Sequence, residues 1–236
     1  MPVTQNVLAD GVAEIVLSPS EDGTGPAVTT AEIHELRSYL LDAHRDERRV
    51  TVVRQSGADF CLGRVPDGDE HGEPAIYQLL ASTTDLWSTV PGITVAAASG
   101  RVQGFGVGFV MQADISVVAD ATTFSFPEIQ AGFAPSIVAA WLVRRVRWQT
   151  AAPWLLTGQP VPAEVALRRG LVSETAADPN ARAREYVDTL TGLDDYSLRE
   201  CKRFGRMAED LSREAWVATA VDSLVRQHVQ AVENKK

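Results

Sequence analysis

The sequence predicts an α/β domain followed by a helical region. Three observations carry that prediction. Short β-branched or wholly apolar runs, such as 50–53 and 93–98, alternate with longer segments whose apolar residues recur at helical spacing. Glycine and proline bound most of these segments. No internal repeat, low-complexity tract or linker interrupts the chain, so its 236 residues are divided only into a core over 1–178 and a helical region over 179–236.

Residues 11–17 read as a first strand, followed by an acidic, Gly-rich loop over 18–26. Thr29-Thr30-Ala31-Glu32 marks a helix start. Either threonine suits the N-cap, and Glu32 closes a capping box with Thr29. Ile33, Leu36, Leu40 and Leu41 follow at helical spacing. Residues 50–53 form a second strand, and 56–65 turn out of it through Gly57 and Gly63. The Pro-, Gly-, Asp- and Glu-rich stretch 66–74 is a surface loop by composition. A helix over 75–90 carries Ile76, Leu79, Leu80, Thr83, Leu86 and Trp87 on one side.

The run 93–98 lies between Pro91-Gly92 and Ser99-Gly100 and reads as a strand buried on both faces. Residues 115–118 and 122–126 are two further strands, with a Gly-led helix over 104–112 before them. Later helices follow Pro135 towards Val146, cover 151–156 up to Gly158, and cover 162–169 up to Gly170, the last with proline inside its first turn. From Pro179 onward the pattern is two or three amphipathic helices.

Hydrophobic residues make up 45% and charged residues 22%, the balance of an ordinary globular protein rather than a disordered one. The net charge of -9 argues against non-specific nucleic-acid binding, which needs cations to displace phosphate counterions. It leaves room for an anionic ligand held by a few local cations or a helix N-terminus. Cys61 and Cys201 stand far apart with no Cys-x-x-Cys or His cluster, so neither a disulfide framework nor a structural metal is expected. No signal peptide and no apolar run of 18 residues is seen, and a cytoplasmic protein is the expectation.

Two stretches point to chemistry. One is Phe60-Cys61-Leu62-Gly63-Arg64. The other is Ser99-Gly100-Arg101-Val102-Gln103-Gly104-Phe105-Gly106-Val107-Gly108, followed by Ala113-Asp114 and by Phe124-Ser125-Phe126-Pro127-Glu128-Ile129. Both are Gly-punctuated turns after buried strands, where the backbone can approach a ligand closely. Backbone N–H groups from two such turns can converge on one oxygen as an oxyanion hole. The second turn also opens a helix, whose dipole favours negative charge there. A Gly-rich strand-to-helix turn is equally a structural device of any α/β protein. The glycines do not have dinucleotide-fingerprint spacing, and no Gly-Lys-Ser/Thr makes a P-loop.

In this order the stretches resemble the crotonase, or enoyl-CoA hydratase/isomerase, superfamily, from the first strand through Val172 and most specifically over 93–129. Leu155-Leu156-Thr157-Gly158, and then Ala163 to Leu171-Val172-Ser173, also look like the family. The resemblance implies a crotonase (ClpP/crotonase-like) spiral of β-β-α units, with a C-terminal helical region that serves trimerisation. It implies an acyl-CoA thioester substrate, or one on an acyl carrier protein's phosphopantetheine arm, whose enolate is held by the backbone N–H groups of Arg64 and Phe105. It places Cys61, Leu62, Gly63, Gly104, Gly108 and Ser136 around the substrate, with Ser136 also suited to capping a helix. The second of the family hydratases' two glutamates falls at Glu128; the first falls at Gly108, where there is no carboxylate.

A single carboxylate suits a proton shuttle, which removes a proton from one carbon and returns it to another. An isomerase-type reaction is therefore the first expectation. A hydratase or hydratase-lyase, a thioester decarboxylase or hydrolase, and a non-catalytic thioester-binding scaffold are the alternatives. No cofactor beyond the thioester carrier, no metal, no nucleic acid and no membrane is expected, and a homotrimer or dimer of trimers is.

Weaker candidates remain. His71, with Asp67, Asp69 and Glu70, sits in the loop flanking the acyl pocket of relatives; Tyr77 and Asp85 lie on the next helix. Arg144, Arg145 and Arg147 form a basic cluster that reads as a solvated helix face or a phosphate contact. Lys202 and Arg203 fall where relatives place a cation near the nucleotide end of CoA. Trp141, Trp148, Trp154 and Trp216 lie in helical segments and suit core or subunit packing.

Overall fold

The β-branched run Val50–Gln55 (β3) and the apolar run Ile93–Ala98 (β5) lie side by side as parallel strands, Val50 opposite Ile93 and Val53 opposite Ala96. All six residues of β5 are buried, as both covered faces require. In the computed structural model, which describes residues 2–8, 11–19, 26–65, 73–208 and 211–233, these strands are the centre of a six-stranded sheet. Its order runs Val3–Val7 (β1), Val12–Leu17 (β2), β3, β5, Ile115–Ala119 (β7) and Glu174–Ala176 (β10). Only the β1–β2 pair is antiparallel.

A second sheet holds four short strands in the order Cys61–Leu62 (β4), Arg101–Gln103 (β6), Thr123–Ser125 (β8) and Val161–Pro162 (β9). Long and short strands alternate along the chain. β3 leads to β4 and the helix Pro74–Thr89 (α2); β5 leads to β6 and the helix Phe105–Gln112 (α3); β7 leads to β8 and, after a 3-10 turn over Pro127–Ala131, to the helix Ser136–Arg145 (α4). This is the expected spiral of β-β-α units. Its consequence is that the turns after β4, β6 and β8 gather along one end of the small sheet.

The pleat divides the core. Ile15, Leu17, Val53, Ala96 and Ala98 face the larger cluster, which the helix Thr30–Arg45 (α1), α2 and α3 cover with Ile33, Leu36, Leu40, Trp87, Val107 and Val110. Val12, Val50, Val52, Ile93, Val95 and Ala97 face the other side and pack on Ala183 and Leu190 of the helix Pro179–Thr191 (α7). The boundary drawn at 178 thus falls just before a helix that lies on the large sheet.

Local signals resolve as the chemistry requires. Thr29 Oγ1 accepts from the Glu32 N–H at 3.3 Å, and Glu32 accepts from the Thr29 N–H at 2.8 Å. That capping box is worth about 1 kcal/mol at α1's start. Leu41, read with the apolar stripe of α1, is 47% exposed, because Ile33, Leu36, Leu40 and Ala43 already fill the buried face. Pro162 stands at the N-cap position of Ala163–Arg168 (α6), one place outside the first turn expected for it. Gly158 ends Trp148–Thr157 (α5) in the left-handed conformation at φ 64. β1, β4, β6, β9 and β10 went unread: β1 lies on an edge with little of it buried, and the other four are two or three residues long.

The chain ends in two further helices, Asp195–Ala208 (α8) and Arg213–Glu233 (α9). Ser223 of α9 donates to Glu200 of α8 at 2.9 Å. Lys202 ties α8 to the sheet by donating to the carbonyls of Val90 and Gly92 at 2.7 and 2.8 Å and pairing with Asp114 at 2.6 Å.

Candidate active site

Glu128 sits in the 3-10 turn that follows β8. Gly132 ends this turn at φ 83 by donating to Glu128 and Ile129, and the Phe133 N–H donates to the Glu128 carbonyl at 2.9 Å. Phe124 and Phe126, fully buried just before it, anchor the segment in the core. The side chain is half-buried and points to the β6–α3 turn. Its Oε1 lies where a Cβ on Gly104 would fall, and its Oε2 is buried with no hydrogen-bond partner among the described residues. Burial pushes the carboxyl pKa above the ordinary carboxylate value, with only its own backbone N–H pulling the other way.

Gly104 adopts φ 49 and ψ −114, a conformation open to glycine. Its N–H donates to the Ser125 carbonyl at 3.1 Å, which holds the β6–α3 turn against β8. Phe105 is the first residue of α3, so its N–H has no intrahelical acceptor. The Phe105 ring is buried and packs on Phe109, centroids 5.1 Å apart; Phe109 in turn stacks on Trp87 at 5.8 Å. The Phe105 ring is thus one end of an aromatic row that continues through Phe109 to Trp87 on α2.

Arg64 belongs to the other turn. Gly63 before it has φ 87, again a glycine conformation. A parallel bridge joins Arg64 to Val28 through Val28 N–H to Gly63 and Val65 N–H to Val28, both 2.9 Å. In that pattern the N–H of Arg64 itself turns to the opposite side, where β6 pairs with β4. The Arg64 guanidinium donates to Thr30 Oγ1 at 3.1 Å.

The remaining residues expected around the substrate divide. Leu62 is partly buried and its N–H is used by the Pro26 carbonyl at 2.9 Å. Cys61 is fully buried, with its Cβ 2.6 Å from where a Cβ on Gly106 would stand. Burial pushes its thiol pKa up to about 12, so it remains a thiol and not a nucleophile. Gly108 is packed against α2: a Cβ there would lie 3.0 Å from Thr84 Cγ2. Ser136 is the first residue of α4, not its cap; Pro135 holds the N-cap position and Ser136 Oγ donates to the Ala134 carbonyl at 3.5 Å.

Tyr77 and Asp85 are exposed on α2, and Asp85 borders a separate cavity. Asp67, Asp69, Glu70 and His71 lie outside the described residues. Lys202 is committed within its own chain, as above. Trp141 and Trp154 pack against the core, whereas Trp148 and Trp216 are exposed. Thr84 went unnoticed in the sequence. A threonine inside an amphipathic helix gives no sign of the glycine it meets 24 positions later.

The model of the enoyl-CoA hydratase/isomerase family matches residues 9–230. The chain belongs to this family. As a family member it is 29% identical over 182 residues to the mitochondrial enoyl-CoA hydratase domain-containing protein 3 of Mus musculus, 74% of this chain and 59% of that protein. The chain thus spans about three-fifths of that relative's length. The probable enoyl-CoA hydratase echA6 of Mycobacterium leprae is 29% identical over 217 residues, 88% of this chain and 84% of the relative. Among solved structures, an enoyl-CoA hydratase of Mycobacterium smegmatis superposes with a TM-score of 0.86 at 22% identity, covering 99% of this chain and 96% of its own. A further enoyl-CoA hydratase/isomerase, from Mycobacterium abscessus, gives 0.85 at 25% identity over 98% and 95%. These likenesses place the chain in the crotonase fold. Among the described residues no helix is long and apolar enough to cross a membrane.

Proposed function

We propose that this family member is an isomerase-type enzyme acting on an enoyl thioester, with Glu128 as its single proton shuttle. One observation carries the reading: a carboxylate with raised pKa and an unpartnered oxygen stands against the Gly104 turn that opens α3. The thioester rests on CoA or on a carrier-protein arm. Glu128 takes a proton from the α-carbon, the C–H electron pair moves into the α-carbon–carbonyl bond, and the carbonyl pair moves onto the thioester oxygen. The N–H groups of Arg64 and Phe105 hold that oxyanion, aided by the N-terminal dipole of α3. The enolate then collapses as Glu128 returns the proton to the γ-carbon, so the double bond shifts and no atom is gained or lost. No cofactor enters this sequence.

Gly108 favours this reading over hydration. A second carboxylate at that place would serve water, but the glycine is closed against Thr84. A hydratase, which several relatives' names suggest, would need another group to hold the water, and so would a hydratase-lyase. Association into trimers is supported by Val217, Val221, Leu224 and Val225, exposed apolar residues of α9.

The test is α-proton exchange. A short saturated acyl-CoA is incubated with the protein in deuterated water, and deuterium at the α-carbon is followed by mass spectrometry. Exchange in the wild type that falls 10²–10⁴-fold in Glu128→Gln supports the assignment. Equal exchange in both proteins removes Glu128 from the role. No exchange in either, with CoA binding demonstrated, turns the reading to a decarboxylase, a hydrolase or a binding protein.

A further inference from the structure

We infer that the side chain of Phe105 is a specificity-determining group of this site: its ring is a fixed, dry wall that favours the double-bond shift over the addition of water. The inference deepens the isomerase-type reading and rests on it. In that reading the backbone N–H of Phe105 serves the oxyanion, and the ring is left without a role.

The start of α3 points in three directions. A Cβ at Gly104 would meet Glu128 Oε1, and one at Gly106 would stand 2.6 Å from the Cys61 Cβ of β4. Phe105, Gly108 and Phe109 share a third side by helical spacing. On that side Gly108 and Phe109 meet α2: a Cβ at Gly108 would lie 3.0 Å from Thr84 Cγ2, and the Phe109 ring stacks on Trp87 at 5.8 Å. Side chains of a helix lean toward its N-terminus, so Phe109 leans back onto Phe105, with centroids 5.1 Å apart. Phe105 is the first residue of α3 and has no earlier turn to lean on. Its ring therefore forms the rim of the helix, one residue on from the Gly104 contact with Glu128, and stays 8% exposed.

The row behind the ring is braced. Trp87 is fully buried, and its Nε1 donates to the Phe109 carbonyl at 2.9 Å. Phe109 is thus held by its face and by its backbone, and it supports Phe105. The same row has its donors spent. Thr84 gives its hydroxyl hydrogen to the Leu80 carbonyl at 2.9 Å and turns its methyl to Gly108. The Trp87 N–H is used by Phe109. A held water makes about two to four hydrogen bonds. Over this stretch of the wall it meets aromatic rings, a methyl group and a glycine.

Water enters only one of the two reactions. In addition, Glu128 takes a proton from water, the oxygen bonds to the β-carbon, and the π pair moves toward the thioester to give the enolate. Glu128 then returns the proton to the α-carbon. The shift uses the same enolate and no third molecule. A wall that offers water no partner therefore slows addition selectively.

The test takes the full chain with a β,γ-hexenoyl-CoA. Initial rates of the α,β-enoyl product and of the β-hydroxyacyl product, heavier by one water, are followed by mass spectrometry. Phe105→Ala removes the ring and keeps a backbone N–H; Phe109→Leu keeps Phe105 and removes its support. The wild type should shift the double bond faster than it hydrates. The ratio of hydration to shift should rise about tenfold or more in Phe105→Ala, the scale on which pocket contacts discriminate, and by less in Phe109→Leu. A general loss of structure lowers both rates together and leaves the ratio in place. If Phe105→Ala does not fold, the ratio in Phe109→Leu decides. A ratio unmoved in the folded variants overturns this inference and leaves the isomerase-type reading standing. A wild type that neither shifts the double bond nor exchanges the α-proton overturns that reading, and this inference with it.

Discussion

The carboxylate of Glu128 occupies the space that a side chain at Gly104 would need. One residue ends a strand-to-turn segment and the other opens a helix, and the Gly104 N–H to Ser125 carbonyl bond holds the two segments together. The missing side chain at 104 is therefore what lets Glu128 reach the N-terminus of α3.

Gly104→Ala tests that relationship. The new methyl would displace the carboxylate, and φ 49 would strain any L side chain. We expect α-proton exchange to fall about 10²-fold or more, by the scale of general acid–base catalysis. Stability should fall by about 1–3 kcal/mol, read from urea denaturation. Exchange at the wild-type rate would detach Gly104 from the site.

Glu128→Gln should stabilise the protein near neutral pH. The folded chain holds the Glu128 proton more tightly than the unfolded chain does, since burial raises the carboxyl pKa. The folded state then binds more protons than the unfolded one between the ordinary and the raised pKa, and stability falls as pH rises through that window. Removing the charge should raise stability near pH 8, with the gain vanishing near pH 4, where both states hold the proton. Urea midpoints at the two pH values would show it; equal gains at both would point to packing instead.

The same raised pKa predicts the rate profile. Exchange should increase with pH as Glu128 ionises, with a midpoint above the ordinary carboxylate range. A profile flat through that range would argue for a different base.

Gly108 and Thr84 should couple. Gly108→Ala brings a methyl to 3.0 Å from Thr84 Cγ2 inside the α2–α3 contact, at a cost of about 1–3 kcal/mol for overpacking. Thr84→Ser removes that methyl but keeps the hydroxyl bond to the Leu80 carbonyl at 2.9 Å. The double variant should recover part of the loss, measured as a double-mutant cycle. Simple additivity would show that the glycine is not needed for close packing.

Lys202→Met should loosen α8. The ammonium is nearly buried and satisfies Asp114 and the carbonyls of Val90 and Gly92. Its loss leaves those acceptors short inside the protein and should cost about 3 kcal/mol. Hydrogen exchange should report the loss first in α8.

Much of this was legible in the chain. The long strands are apolar or β-branched and self-announcing, and the Thr29–Glu32 box and the glycine stops are local chemistry. The candidate site residues Arg64, Phe105 and Glu128 stood out only through the family resemblance that three short motifs carry. Two of the strands that carry those motifs were missed, since β4 has two residues and β6 three, too few to display a period, whereas β8 lies within the strand expected over 122–126. β10 hid for the same reason.

By itself the sequence determined the alternation of strands and helices, the glycine turns, and the residue identities at 108 and 128, a glycine and a glutamate. These are local properties, set by side-chain shape, backbone freedom and residue identity. Tertiary structure decided the rest. It put Glu128 against Gly104, Gly108 against Thr84, and Gln112 beside Lys202 and Arg206, pairs that lie 24 or more positions apart. Only packing brings such residues together, and burial raises the Glu128 pKa.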